Sequence, residues 1–459
     1  MNEHPALPVR MKGVRGEGAT KWRVVPLDIM KFRHLFGLSF LDPPQGKTKE
    51  LIEELIHLKK WGKNEGADEI ISVVELLARL DQNPYLNLAI GKNSPILSLN
   101  REFTQAFFPR PPEKNPLLEY LVSKYKWQEL PIYTTGCSNA TNALTACLQA
   151  HGVEGGEVIT TSYNYVAAPN AIVSAGATPH FVDIDPATFC MDIKSALKAV
   201  NKKTRAILLT PVNQCIDLLP LVKGLEKKGG EVALFQDVTT AIGSTLDGLG
   251  AGQVNPPSHG ASVFSFAPSK VINGFGGALV VSHDLEFLKK IDSIAFHGLN
   301  PFNDEEVQTF GNNFKMNEIC AAIALEQVKK KEALLAKRKQ VKEWYDSALK
   351  PLIKKGEVAL QEIQGDGVVT HYMIRLKKNY HRVILEMAQR FKIGLSHWYA
   401  FHLEPIYRLR FGMVTLPVTE AMYDKIVFLP FHVAMEEKDV EYIVSSLETV
   451  LTKASSGKA

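Results

Sequence analysis

The chain has 459 residues, 45% hydrophobic and 22% charged, with a mean hydropathy of −0.06. That length allows two domains, and that composition is ordinary for a globular chain rather than a disordered or fibrous one. A net charge of +4 is small for this length, so composition gives no support for a nucleic-acid partner.

Residues 1–130 read as an N-terminal extension, mostly helical and loop. Leu51, Leu55 and Leu58 recur with helical spacing and predict a helix over Thr48–Lys60. A second helix is expected over Ile70–Leu80. The proline-rich run Phe107–Glu113 is a breaker. No motif, and no helix-turn-helix, is read in this stretch.

Residues 131–330 alternate short apolar strands with amphipathic helices. Ala206–Thr210, Val232–Phe235 and Leu279–Ser282 are strand candidates, and the alternation predicts a largely parallel sheet covered by helices. Thr134–Ala150 opens with small and hydroxylic residues and closes with Leu144 and Leu148 on a helix. Ala140 and Thr141 fall at its first turn, where backbone N–H groups make an anion site. A plain capped helix start is the simpler alternative.

Glu231–Asp237 places an aspartate at the carboxyl end of a strand, the end outside which open α/β sheets bind ligands. Alone, Asp237 could equally cap the next helix. Ala261–Lys270 reads as a buried strand leading into a loop, with the glycine-rich Asn273–Gly277 behind it. A lysine at the edge of a core loses hydration, which lowers its pKa and makes a nucleophilic amine accessible. A lone lysine there is more often a surface lysine capping a strand, but a strand-end aspartate, one αβ unit, then a strand ending in lysine is a much rarer combination, and it suits pyridoxal phosphate. The lysine forms a Schiff base, and the acid keeps the pyridine nitrogen protonated.

A charged helical stretch over 317–350 should leave this domain, with Lys329–Lys331 on a solvated face. Residues 331–459 read as a linking helix and a small C-terminal α/β domain, ending in a loose tail at 454–459. The five cysteines, Cys137, Cys147, Cys190, Cys215 and Cys320, are scattered without CxxC spacing. They point to a reducing, cytoplasmic compartment and to no metal site. No apolar run approaches the ~20 residues of a membrane span, and the opening residues do not read as a signal peptide.

From about residue 134 to about 450 a series of motifs resembles the DegT-type, or sugar, aminotransferases of pyridoxal-phosphate fold type I. Asn139–Leu144 resembles the family's Ser-Gly-Thr-x-Ala-Leu turn, and Thr161–Ala167 its Ser-Phe-Thr-Phe-Val-Ala segment. Phe181–Pro186 and Gln236–Gly243 follow in the family's order. Phe264–Lys270 is similar to Phe-Ser-Phe-x-x-x-Lys. Next come His297-Gly298, Gly311–Ala322, Leu416–Glu420 and Leu429–His432. Each motif alone is weak, but their shared order is specific.

The resemblance implies an aspartate-aminotransferase-like fold, with a mostly parallel large domain and a smaller C-terminal α/β domain. It implies Lys270 as the cofactor lysine and proton carrier, and Asp237 at the pyridine nitrogen. Ala140, Thr141 and Ser265 would bind the phosphate. Tyr165 would stack on the ring, unless it is an ordinary core aromatic. Thr240 would lie near the ring hydroxyl, and Asn313 would reach the phosphate of a partner subunit in a homodimer. The implied reaction moves an amino group from glutamate to a keto-sugar, most simply a nucleotide-linked one. Alternatives are another fold-type-I reaction on an amino acid or cyclitol, or a cofactor-binding regulator with little turnover. The chain departs from the family at Ala140, where glycine is usual, at Thr240, where Gln or His is usual, and at Val271 and Phe275. Relatives that perform dehydration carry His at the lysine position, so Lys270 argues against that branch.

Overall fold

The structure, a computed structural model, describes residues 95–455 except 109, 113, 126–131, 230–231, 256–259 and 301–302. It also describes two dipeptides, Val9–Arg10 and Val24–Val25, which pair antiparallel. The helices expected over Thr48–Lys60 and Ile70–Leu80 lie outside the described residues.

Strands are numbered for the two principal sheets. β1 (Tyr133–Cys137), β2 (Glu157–Thr161), β3 (Thr178–Val182), β4 (Thr204–Leu209), β5 (Ala233–Asp237), β6 (Ala261–Ser265) and β7 (Ala278–Ser282) form one sheet. Their order is β1-β7-β6-β5-β4-β2-β3. From β6 to β3 every neighbour is parallel. β7 runs antiparallel to both β6 and β1, so β1 points the same way as β6.

The period of two along a strand sorts side chains to two cores. Leu208, Phe235, Val263 and Val280 face one core with Leu144, Leu148, Phe287 and Ile291 from the helices Ala140–His151 and Leu285–Ala295. Ile207, Leu209 and Leu234 face the other, with Leu117, Leu121 and Leu221. β5, β6 and β7 are buried along their whole length, as expected of strands covered on both faces.

The helix Ala140–His151 starts where Asn139, in extended backbone, accepts the Asn142 N–H on its side-chain oxygen. Such a cap is worth about 1 kcal/mol. It stops at Gly152, whose φ of 78° lets its N–H turn back on the last helical carbonyls.

A second sheet, β8 (Val358–Leu360), β9 (Tyr372–Leu376) and β10 (Ile426–Leu429), is antiparallel in that order. Ile374 and Val427 pack there with Val341 and Tyr345 of the helix Lys331–Ala348 and Leu447 of the helix Glu437–Ser455. The latter helix includes Ala454 and Ser455, the first two residues of the expected loose tail. The stretch 317–350 also differs from expectation. It is two helices, Glu318–Val328 and Lys331–Ala348, separated at Lys329–Lys330. Lys329 and Lys330 are exposed as expected, whereas Lys331 is half-buried. Its ammonium donates to the Ala106 carbonyl and lies 5.6 Å from the Phe107 ring. It thereby satisfies a last-turn carbonyl of the helix Pro95–Phe107, which ends at the expected breaker.

Candidate active site

The carboxyl ends of β1, β2, β4, β5 and β6 reach one edge of the sheet. The segments leaving that edge carry nearly every residue singled out above.

Lys270 closes the turn after β6, its N–H donating to the Ala267 carbonyl at 3.0 Å. The glycine-rich loop then folds back. The Phe266 carbonyl accepts the N–H groups of Gly274 at 2.8 Å and Gly276 at 3.2 Å, and Gly277 N–H reaches the Ser138 carbonyl at 2.8 Å. Gly277 has φ of 89°, a backbone conformation in which any side chain is strained, so glycine is favoured there.

Burial lowers the Lys270 pKa, and the charge of Asp237 opposes that fall. Burial likewise raises the Asp237 carboxyl, against a hydrogen bond from Thr239 and the Lys270 charge. Each group is pushed toward its neutral form, and each holds the other charged. Asp237 is 4% exposed, and its carboxylate accepts the Thr239 N–H at 3.2 Å. The site can thus supply a readily deprotonated amine beside a buried acid.

Tyr165 is 59% exposed and stands out at this edge, so it is not a core aromatic. Its N–H donates to the Asn164 side-chain oxygen at 2.7 Å. Asn164 is buried, and its amide donates to the Thr210 hydroxyl at 3.0 Å. Ser265 is buried, its hydroxyl accepting the Ala267 N–H at 3.3 Å. Ala140 and Thr141 form the first helical turn beside Asn139. Thr240 is buried at the turn after β5, but its hydroxyl hydrogen goes to the Pro211 carbonyl at 3.0 Å. Asn313 is exposed and bridges to Phe296 through the backbone. It does not cap the following helix; Asn317 does, accepting the Ile319 N–H at 2.8 Å.

A sequence model of the DegT/DnrJ/EryC1/StrS aminotransferase family matches residues 127–448, more than half of the chain. The chain belongs to that family. A pleiotropic regulatory protein of Geobacillus stearothermophilus is 29% identical over 316 residues, 68% of this chain and 83% of the relative. A GDP-perosamine synthase of Caulobacter vibrioides is 28% identical over 330 residues, 70% of this chain and 86% of the relative. Among solved structures, NtdA of Bacillus subtilis, crystallised with bound cofactor PMP, superposes with a TM-score of 0.62 at 24% identity, over 79% of this chain and 83% of that one. The sugar aminotransferase Spr1654 of Streptococcus pneumoniae does so at 0.63 and 23%, over 79% and 97%. The fold is therefore that of pyridoxal-phosphate-dependent aminotransferases.

Two further residues beside this edge, Asn213 and His371, are marked by no local sequence signal. Asn213, at a φ of 62° after β4, donates to the His371 carbonyl at 2.8 Å and accepts the His371 N–H at 3.2 Å and the Thr370 N–H at 2.8 Å. His371 stacks on Phe428 at 5.1 Å and meets the Trp398 ring edge-on at 5.9 Å. Burial and the nearby charges of Lys270 and Arg338 push its pKa down to about 3, so its imidazole is neutral. A lone His ahead of an apolar strand carries no local signal for such a place.

Proposed function

We propose that this chain is a pyridoxal-phosphate-dependent sugar aminotransferase that moves an amino group from glutamate to a keto-sugar, nucleotide-linked in the simplest case. The observation that carries the reading is the pairing of half-buried Lys270 with buried Asp237 at the carboxyl edge of the sheet. The residues fit the cofactor. Asp237 is a buried acid suited to a pyridine nitrogen, Lys270 is a depressed amine, and the first turn at Ala140 and Thr141 presents N–H groups to a phosphate. When bound, the cofactor supplies an electron sink for the carbanion at the reacting carbon.

In this reading Lys270 would hold the cofactor at its aldehyde carbon and would carry the proton at the reacting carbon. Its low proton affinity suits both tasks. Asp237 keeps the pyridine nitrogen protonated. Ser265 joins the phosphate turn. Tyr165, its backbone held by Asn164, would lie against the ring face. Thr240, with its hydrogen engaged by Pro211, offers the ring hydroxyl an acceptor only. Ala140, in place of glycine, costs the turn nothing because it is helical here. Asn313, exposed on one chain, completes the phosphate site of a second copy in a homodimer. The chain works in the cytoplasm, consistent with five free cysteines. Among the described residues no helix is long and apolar enough to cross a membrane.

Borohydride reduction of the purified, cofactor-loaded protein, followed by peptide mapping, tests the anchor. The label is expected on Lys270, and a label elsewhere overturns it. A screen of the aminated cofactor form against nucleotide-linked keto-sugars tests the acceptor. The name of the Geobacillus relative favours a second reading, a cofactor-binding regulator. Loaded protein that exchanges no amino group with glutamate or any keto-sugar would support it.

A further inference from the structure

The helix Pro405–Phe411 is mounted on the protein by the face that carries Tyr407, which is buried. The Tyr407 ring meets Phe181 of β3 edge-on at 5.7 Å and lies 5.4 Å from Phe401, and its hydroxyl donates to the Asn170 side-chain oxygen at 2.6 Å. Leu416 joins the same small core after the helix has ended. Gly412, at a φ of 87°, ends the helix, and its N–H returns to the Arg408 carbonyl at 3.0 Å. The helix and the turn behind it are a fixed platform.

Its outer side is apolar and basic. Ile406 and Leu409, three positions apart and so on one stripe, are 72% and 88% exposed. Met413, on the turn, is 80% exposed, with its sulfur 3.5 Å from the Arg408 guanidinium, and Val414 beside it is also exposed. A single exposed leucine needs no explanation, but neighbouring apolar side chains this free of their own surface mark an interaction site. Arg408 and Arg410 stand exposed among them, and among the described residues neither forms an ion pair. Glu404, half-buried, is the one acid between residues 395 and 419.

We propose that this platform is a docking tip for an anionic lipid surface. Ile406, Leu409 and Met413 enter the boundary between headgroups and acyl chains, and Arg408 and Arg410 pair with lipid phosphates. The charge pattern selects this occupant over a second copy of the chain. A two-fold contact sets a patch against itself, and here it would set Arg408 and Arg410 against the same arginines, with one acid per chain to offset them. Three apolar side chains and two cations give a reversible, salt-sensitive attachment, not a permanent anchor.

The test sediments the full-length, cofactor-loaded protein with vesicles of phosphatidylcholine alone and of a two-to-one mixture of phosphatidylcholine and phosphatidylglycerol. The wild type should bind the mixed vesicles about tenfold more tightly than the neutral ones, and added salt should release it. The double variants Leu409→Glu/Met413→Glu and Arg408→Gln/Arg410→Gln should each lose about tenfold in affinity for mixed vesicles while keeping the cofactor absorbance. The arginine pair should also lose most of the salt dependence. A polarity-sensitive dye on Leu409→Cys, in a Cys320→Ser chain because the other four cysteines are buried, should shift to the blue on mixed vesicles. That reading stands even if a double variant fails to fold. No binding by the wild type, equal binding to neutral vesicles, binding that survives in both folded double variants, or a dye that does not shift overturns the proposal. So does an oligomer that dissociates in sedimentation velocity on Leu409→Glu/Met413→Glu, because another copy then covers the stripe.

Discussion

Ser162 and His402 are joined twice. The Ser162 hydroxyl lies 2.6 Å from His402 Nδ1 and also accepts the His402 backbone N–H at 3.0 Å. His402 Nε2 in turn lies 3.2 Å from Glu420. The sequence of groups is that of a serine nucleophile, its base and an acid. Yet Ser162 is fully buried and already shared between two partners, so no substrate reaches it. Its work is to fasten the end of β2 to the Phe401–Leu403 turn, beside the pairing of Tyr163–Asn164 with Tyr399–Ala400.

Ser162→Ala should therefore lower stability by about 1–3 kcal/mol, the cost of leaving buried partners unsatisfied. Denaturant titration measures the loss. The variant should retain cofactor, and a hydrolase probe aimed at serine should label neither protein.

Acid should destabilise the enzyme through its buried histidines. The folded pKa of His371 is about 3, against an ordinary 6.5, because of burial and then the charges of Lys270 and Arg338. That of His402 is also lowered, by burial, though Glu420 opposes the shift. Between folded and unfolded values the unfolded chain binds more protons, so stability rises with pH. The contribution is complete above about pH 6.5 and is lost as pH falls toward the folded values, each histidine giving up to about 1.4 kcal/mol per pH unit. His371→Asn should flatten the stability profile between about pH 6 and pH 4. An unchanged slope in chemical denaturation would remove His371 from this account.

Asn213→Ala removes the buried bonds to Thr370, His371 and Gln361 and leaves a non-glycine residue at positive φ. The expected loss is about 3–5 kcal/mol. Asn213→Gly, which relieves only the backbone, should recover less than about 1 kcal/mol of it. A larger recovery would mean that strain, not the amide, dominates at this position.

Asp237→Ala should leave the phosphate turn intact yet cut turnover by orders of magnitude, each tenfold being about 1.4 kcal/mol. Retained cofactor absorbance with slow turnover is the expected pattern. Near-normal turnover would mean another acid serves the ring nitrogen.

Mixing Lys270→Ala subunits with Asn313→Ala subunits tests the shared site. A hybrid dimer would carry one site with both defects and one with neither, so activity should partly return. With subunit exchange verified and both parents impaired, no recovery, or a monomer in sedimentation, would refute it.

The edge that gathers Asp237, Lys270 and the helix start at Ala140 was readable because these residues sit at ends of strands that announce themselves. Asp237 and Lys270 each follow an apolar run, and the helix at Ala140 declares its start with Asn139. The parallel sheet followed from the same alternation. What stayed hidden depends on distant chain segments meeting. Asn213 and His371 are 158 positions apart, and nothing local marks either. Arg338 is intermediate. Its spacing to Val341 and Tyr345 puts it on a buried stripe, but a charged residue inside a lysine-rich helix reads as solvated until the neighbours are known. The same reasoning misread Lys331, whose partner is a carbonyl of a helix far earlier in the chain.

The hydrogen bond from Gly277 to Ser138 joins the lysine loop to the turn that opens the helix Ala140–His151. β7 continues that bond into a ladder with β1. Amide hydrogens of Gly277 and of β7 should therefore exchange with solvent as one cooperative block, in step with β1. Loosening either end would slacken the lysine's perch and the anion turn together. If Lys270 and that turn hold the cofactor as proposed, both holdfasts would then fail in a single event, and the protein would shed its cofactor in one phase rather than two.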